Sequence, residues 1–126
     1  MKYVSGGTGR IVTKSDYSKE ILLELKDFKQ PGHLLQVVTN TARTKQRLHY
    51  HKKQTEVWYI LQGEATWIVN DVEYKVKPGD SFIIEPGDTH QADNMGDVDM
   101  KVLVFKINLP TDDEDWYIPE KDQSSS

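Results

Sequence analysis

Short segments rich in β-branched and aromatic residues fill the middle of this chain, and turn residues separate them at short, regular intervals. The clearest turns are Asn70-Asp71, Pro78-Gly79-Asp80 and Pro86-Gly87-Asp88. Asn and Asp tolerate the left-handed backbone of a two-residue hairpin, and a Pro-Gly pair favours a turn at the end of a strand. No long amphipathic helix pattern competes with these signals. The spacing therefore predicts an all-β protein, either an antiparallel sandwich or a barrel.

The expected strands follow from the same alternation of segments and turns. They cover residues 33–40, 56–61, 65–69, 72–76, 81–84 and 101–107, with shorter extended pieces at 10–13 and 48–51. The apolar run Ile21-Leu22-Leu23-Glu24-Leu25 fits either a buried strand or a helical turn, because its hydrophobic period does not discriminate between them.

Composition and charge exclude several classes of function. With 126 residues the chain is expected to form one domain, and its net charge of −4 gives no basic surface for nucleic acid. The absence of cysteine excludes disulfides, thiolate metal ligands and cysteine nucleophiles. No apolar run reaches the length of a membrane span, and the first residues lack the apolar stretch of a signal peptide. We therefore expect no nucleic acid or membrane partner and a cytoplasmic location.

The chain is expected to hold a single domain over residues 1–110 and an acidic C-terminal extension over residues 111–126. Residues 1–15 are rich in glycine and predict an arm or loop. The acidic run at 111–115 is typical of a solvated loop, and residues 123–126 are typical of a disordered tail. Between these two stretches, Trp116, Tyr117 and Ile118 are apolar enough to fold back against the barrel.

Three of the four histidines fall in two short blocks together with a glutamate. In a strand, residues i and i+2 project from the same face, so His49 and His51 point together. Glu56 opens the next strand and His90 follows a turn, so both can approach that pair. Three imidazoles and a carboxylate suit one divalent transition metal (Zn, Fe, Mn, Ni, Co or Cu) and leave coordination positions open. We therefore predict a metal centre of His49, His51, Glu56 and His90, and we leave His33 outside it.

The two blocks resemble the two sequence motifs of the cupin superfamily. The first motif has His-x-His, a glutamate and a later glycine, and it is matched by His49, His51, Glu56 and Gly63. The second has Gly, Pro-x-Gly, His and Asn, and it is matched by Gly79, Pro86-Gly87, His90 and Asn94. The chain departs from the motifs in two places. Arg43 or Thr44 stands where the first motif begins with glycine, and the proline and glycine of the second motif are adjacent.

The resemblance covers about residues 34–107, which would form the core of the domain. It implies a double-stranded β-helix, also called a jelly-roll barrel, with the metal near its mouth. It also implies a small-molecule substrate and a homodimer, since homodimers are common in such folds.

The reaction stays open, because cupins with similar ligands perform different chemistries. Residues 56–65 and the block at 84–90 are similar to the cupin domain of type II mannose-6-phosphate isomerases, so a sugar or sugar-phosphate isomerase is the leading hypothesis. A dioxygenase with three histidines and one glutamate, similar to quercetinase, is the alternative. A small-molecule-binding module without catalysis is a third hypothesis, and a lyase or cyclase acting on a small acid is a fourth.

Strand alternation suggests the residues of the pocket. Trp58 is expected to share the inward face of the glutamate two residues before it, as a wall beside the metal or as part of the core. Gln46 is expected to face inward and to hydrogen-bond a substrate, whereas Arg47 meets an anionic group only if the chain bends at the rim. No catalytic base is assigned, since the candidates Glu64 and Tyr59 are expected to face outward.

Overall fold

The computed structural model describes residues 1–110 and 115–120. The strands within these ranges are β1 (Arg10–Thr13), β2 (Ser18–Leu23), β3 (Leu34–Asn40), β4 (Thr44–Lys45), β5 (Thr55–Gln62), β6 (Ala65–Val69), β7 (Val72–Val76), β8 (Ser81–Ile84), β9 (His90–Asn94) and β10 (Met100–Ile107). A short 3₁₀ helix covers Leu25–Asp27. The acidic residues 111–114 and the tail at 123–126, predicted to be a solvated loop and disordered, lie outside the described residues.

The strands form two antiparallel sheets. One has six strands in the order β1-β2-β3-β10-β5-β8, and the other has four in the order β4-β9-β6-β7. Strands that are distant in sequence lie side by side, as β10 does between β3 and β5. This arrangement confirms the predicted jelly-roll barrel.

The space between the sheets is apolar at one end of the barrel and polar at the other. On β10 the buried side chains Met100, Val102 and Val104 are followed by the buried Lys106. On β5 the corresponding order is Ile60, Trp58 and Glu56. Because Glu56 pairs with Lys106 across the two strands, the polar ends of both inward rows coincide. The candidate site therefore lies at this end of the core.

The six longer predicted strands and the short one at 10–13 are present, with boundaries shifted by at most one residue. The extended piece predicted at 48–51 forms only isolated bridges at His49 and Tyr50. The run that begins at Ile21, which fitted either a strand or a helical turn, forms both. Its first residues belong to β2, which ends at Leu23, and the 3₁₀ helix follows from Leu25. Asp27 accepts a hydrogen bond from the backbone N–H of Glu24 and so stabilises that turn. The short strands β4 and β9 had no separate prediction.

The turns between the strands have the backbone that their residues favour. Asn70 and Asp71 both have positive φ, 49° and 66°, as a two-residue hairpin requires. Gly63 has a φ of 82°, and a Cβ atom there would lie 2.6 Å from the carbonyl oxygen of Asp99. Only glycine fits this position without strain.

The N-terminal residues extend the larger sheet. Residues 1–15 are predicted to form an arm or loop with a short extended piece at 10–13. This piece is β1, and it pairs with β2 as a short hairpin at the edge of the sheet. The turn of this hairpin contacts the mouth of the barrel, where the Asp16 carboxylate accepts from the N–H of Arg47 at 2.9 Å. Among the described residues, the structure contains no helix long and apolar enough to cross a membrane.

Candidate metal centre

Three histidines from the two predicted blocks come together at the polar end of the barrel. His49 and His90 form an antiparallel bridge, in which the N–H of each donates to the carbonyl of the other, at 3.1 and 2.8 Å. His51 lies two residues farther along the chain, and its carbonyl accepts from the N–H of Gly87 at 2.7 Å. One ring nitrogen from each histidine lies within 4.8 Å of those of the other two. The three are therefore placed where they could hold one metal ion.

Backbone carbonyls fix which nitrogen of each ring carries hydrogen. Nδ1 of His49 contacts the carbonyl of Arg47 at 2.8 Å, and Nδ1 of His90 contacts that of Asp88 at 2.9 Å. Nδ1 of His51 contacts the carbonyl of Asp115. A carbonyl oxygen only accepts, so each Nδ1 donates to its carbonyl. The side-chain amide nitrogen of Gln54 also lies 2.9 Å from Nδ1 of His51, and it donates to the carbonyl of Asp115 instead. Each neutral ring then keeps its lone pair on Nε2, which is the arrangement of a metal-binding histidine.

The donor set fits a divalent transition metal. His49, His51 and His90 are only 5%, 4% and 1% exposed. The Nε2 atoms of His51 and His90 are buried without a hydrogen-bond partner among the described residues. Buried polar atoms normally have such a partner, and an unpaired one requires an explanation. Coordination of a cation by converging neutral imidazoles provides one.

Burial is the largest influence on the pKa values of these rings, because a charged imidazole is poorly solvated inside the barrel. It lowers the pKa of His49 to about 3 and also lowers the pKa of His90. Burial acts in the same direction on His51, but the adjacent Glu56 carboxylate outweighs it and raises the pKa of His51. A proton therefore competes with a metal mainly at His51.

Glu56 lies at the edge of the histidine cluster. Its Oε2 atom is 3.5 Å from Nε2 of His51, and its Oε1 atom is 3.8 Å from Nε2 of His90. The indole N–H of Trp58 donates to Oε1 at 3.1 Å, and the ammonium of Lys106 is 4.0 Å from Oε2. Burial alone would raise the pKa of Glu56, but His51 and Lys106 lower it well below its usual range. The ionised carboxylate suits a fourth ligand or a balancing charge beside the metal.

The histidines line a cavity of about 960 Å³ that carries an excess of positive charge. Six basic and three acidic side chains line it, namely Arg10, Lys14, Lys19, Lys45, Arg47, Lys106, Asp16, Glu56 and Asp115. The whole chain has a net charge of −4, so this is a local reversal of sign. A cleft with this lining attracts small anions.

The suggested pocket residues differ in position. Gln46 is buried and lines the cavity, although its amide oxygen already accepts from the N–H of Ala92 at 3.2 Å. Trp58 both lines the cavity and belongs to the apolar core. Glu64 and Tyr59 are exposed and lie outside the cavity lining, so neither is placed to act as a base.

Lys106, Asp115 and Trp116 are among the cavity residues to which the sequence analysis gave no role at the site. Lys106 follows inward-facing positions on β10, and strand alternation alone could have placed it inside. Asp115 was predicted to belong to a solvated loop, and this is wrong because it is only 4% exposed. Its carboxylate accepts from three backbone N–H groups, which outweigh its partial burial and lower its pKa. Trp116 stacks on His49, with ring centroids 5.2 Å apart. The fold-back of Trp116 against the barrel agrees with the sequence, but no local pattern indicates its contact with His49 or the backbone contacts of Asp115.

Comparisons with known proteins agree with the fold. A protein of Thermotoga maritima named oxalate-binding protein is 30% identical over 118 residues, which is 82% of this chain and 98% of that protein. A crystal structure described as a predicted oxalate decarboxylase of Thermotoga maritima has a TM-score of 0.77 at 23% identity and covers 86% of this chain and 100% of that one.

A structure described as a putative sugar phosphate isomerase of Acidithiobacillus ferrooxidans has a TM-score of 0.66 at 16% identity, covering 82% and 70% of the two chains. At such identity these structures share the fold and nothing more specific. The sequence model of the cupin domain matches residues 36–106, more than half of the chain. The chain therefore belongs to the cupin domain family.

Proposed function

We propose that this protein is a metal-dependent cupin that binds a small carboxylate, with oxalate as the first candidate. The observation that carries the proposal is the convergence of one ring nitrogen from each of three histidines on the wall of a cationic cavity, with every Nδ1 facing a backbone carbonyl. His49, His51 and His90 are the proposed ligands, with Glu56 as a fourth. The oxalate-binding protein of Thermotoga maritima, similar along almost its whole length, supports this class of ligand.

Each group of the cavity has a defined task in this proposal. A bound metal would supply a Lewis acid that coordinates an oxygen of the ligand carboxylate. Glu56, held by the indole N–H of Trp58, balances the positive charge of the centre. Arg47 lies exposed at the rim, where its guanidinium can pair with the second carboxylate of a dicarboxylic acid. Trp58 and Trp116 form apolar walls that restrict the size of the ligand.

The test combines metal analysis with calorimetry. Protein purified without added metal is analysed for its elements, loaded separately with Mn, Fe, Ni, Co, Cu or Zn, and titrated with oxalate, malonate and formate. We expect stoichiometric metal and metal-dependent oxalate binding. His51→Ala should lose both, whereas His33→Ala is the matched control, because His33 stacks on Phe105 away from the cavity. Equal metal in wild type and His51→Ala would contradict the proposal, as would metal-loaded protein that binds none of the acids.

The two enzymatic hypotheses from the sequence are outcomes of the same experiment. Turnover of aldose or ketose phosphates by the metal-loaded protein would favour the sugar isomerase. Oxygen uptake with iron-loaded protein and small phenols or diketones would favour the dioxygenase. The isomerase would need a base, and the described residues of the cavity offer no carboxylate for this role outside the buried Glu56, Asp16 at the rim and Asp115, which is bonded to backbone N–H groups.

A homodimer is also part of the proposal. The outer face of the six-stranded sheet exposes the apolar side chains of Tyr59, Leu61 and Ile83. A second copy packed on this face would remove them from water. Light scattering after size-exclusion chromatography tests this, and a monomer at micromolar concentration would contradict it.

A further inference from the structure

The three proposed ligands differ in the origin of the carbonyl that orients each ring. His49 and His90 each donate from Nδ1 to the carbonyl two residues before them. Those two rings are therefore oriented by their own strand segments. His51 donates instead to the carbonyl of Asp115, which is 64 residues away in the chain.

The Asp115 carboxylate anchors that carbonyl to the loop that follows His51. Its two oxygens accept from the backbone N–H groups of Lys52, Lys53 and Gln54, each at 2.8 Å. The side-chain amide of Gln54 donates to the Asp115 carbonyl at 3.2 Å. One residue thus binds four groups of the loop and the imidazole of His51.

The next two residues continue along the chain segment that carries the ligands. The N–H of Tyr117 donates to the carbonyl of Tyr50, and the N–H of Tyr50 donates back, both at 2.9 Å. The ring of Trp116 stacks on that of His49 with an interplanar angle of 23°. The guanidinium of Arg47 lies 5.9 Å from the centre of the Trp116 ring, so the indole also contacts the cavity rim.

We infer that residues 115–117, here called the C-terminal segment, form a positioning element of the metal centre, with Asp115 as the residue that orients His51. The inference rests on the proposed metal function and assigns part of the site to a segment outside both histidine blocks. Donation of Nδ1–H to the Asp115 carbonyl leaves Nε2 facing the other two histidines. Without the Asp115 carboxylate, that carbonyl is no longer anchored to the loop after His51, so the ring can rotate or change tautomer and the three ring nitrogens converge less well.

The test compares Asp115→Ala with Asp80→Ala in the full-length protein. Asp80 is a matched control, because its carboxylate also accepts from a backbone N–H, that of Lys77, in a turn outside the cavity lining. We expect Asp115→Ala to weaken Zn binding by about 10- to 100-fold, the usual effect of losing a group that orients a ligand. Asp80→Ala should bind Zn as the wild type does, and Asp115→Asn, which retains one acceptor oxygen, should fall between.

A second measurement uses the metal-free protein. In the wild type, NMR should detect a slowly exchanging Nδ1–H proton on His51, and it should exchange rapidly in Asp115→Ala. If Asp115→Ala fails to fold, Tyr117→Pro is the substitute variant. It removes the N–H that donates to the carbonyl of Tyr50 and so loosens the same segment without changing Asp115. It should show the same two effects in weaker form.

The outcomes separate this inference from the proposed function. If the wild type binds no metal, the proposed function fails, and the exchange of the His51 proton alone decides the inference. If the wild type binds Zn, and Asp115→Ala or its substitute Tyr117→Pro keeps the same affinity and a protected proton, the inference is overturned while the proposed function stands.

Discussion

Replacement of Lys106 by methionine tests whether the buried charges at the centre depend on one another. Lys106 is 5% exposed, and its ammonium lies 4.0 Å from the carboxylate of Glu56. At this separation two unit charges interact by about 4 kcal/mol if the effective dielectric constant is about 20. Methionine keeps an unbranched stem and adapts to its surroundings, so the change removes charge with little loss of packing.

The variant leaves Glu56 buried without one of its cations, a change that typically costs about 3–5 kcal/mol. We expect Lys106→Met to lower the free energy of unfolding of the metal-free protein by about this much. The double variant Lys106→Met/Glu56→Gln should recover most of the loss, because it removes both charges. Metal-loaded protein should be affected less, since the metal would supply the positive charge that Lys106 supplies in its absence.

Urea unfolding of the wild type, the two single variants and the double variant gives the coupling free energy between the two side chains. Lys101→Met is the control, because Lys101 lies on the same strand with its side chain exposed, and its effect should be within about 0.5 kcal/mol of zero. A coupling free energy below about 0.5 kcal/mol, or a double variant no more stable than Lys106→Met, would refute the electrostatic reasoning.

Two other predictions concern the turn between β5 and β6 and the proton at the metal centre. Gly63→Ala should lower the free energy of unfolding in urea by more than about 1 kcal/mol, because its backbone and space both exclude a Cβ atom. Gly6→Ala, with open space around it, is the control, and an equal effect there would contradict the steric argument. Because Glu56 raises the pKa of His51, metal binding near neutral pH should release a proton and weaken as the pH falls. Calorimetry in two buffers of different ionisation enthalpy measures that release, and identical heats would argue against it.

The fold could be predicted from the sequence because its signals are local. Strand β6, the Asn70-Asp71 turn and strand β7 each follow from a few adjacent residues, and the hairpin they form needs no distant partner. The convergence of the histidines is a different kind of prediction. The pair His49 and His51 follows from strand alternation. The turn before His90 only allows that residue to approach the pair, and the resemblance to the cupin motifs adds support for it.

Regular alternation fails where the chain is not a regular strand. Gln46 and His49 are three residues apart and would face opposite sides of a strand, yet both are buried beside the cavity. Strand β4 ends at Lys45, and the next β-type contact is the bridge at His49, so the intervening backbone turns Gln46 inward. The sequence analysis therefore placed Gln46 correctly on the inward side, but the bend of the backbone between β4 and His49, which turns it inward, was not predicted.

The carbonyl partners of the three rings also explain why the site depends on the whole fold rather than on the two motifs. A buried Nδ1–H without an acceptor costs about 1–3 kcal/mol, so the carbonyls of Arg47, Asp88 and Asp115 stabilise one tautomer at each ring. The same choice leaves Nε2 of His51 and of His90 buried without a hydrogen-bond partner among the described residues, which is unfavourable until a cation lies beside them. The histidine motifs supply the nitrogens, but only the folded chain, including a segment outside both motifs, determines that all three present Nε2. A sequence with both motifs and no residue able to take the place of Asp115 would match the family equally well, yet it would hold its second histidine less firmly and bind metal more weakly.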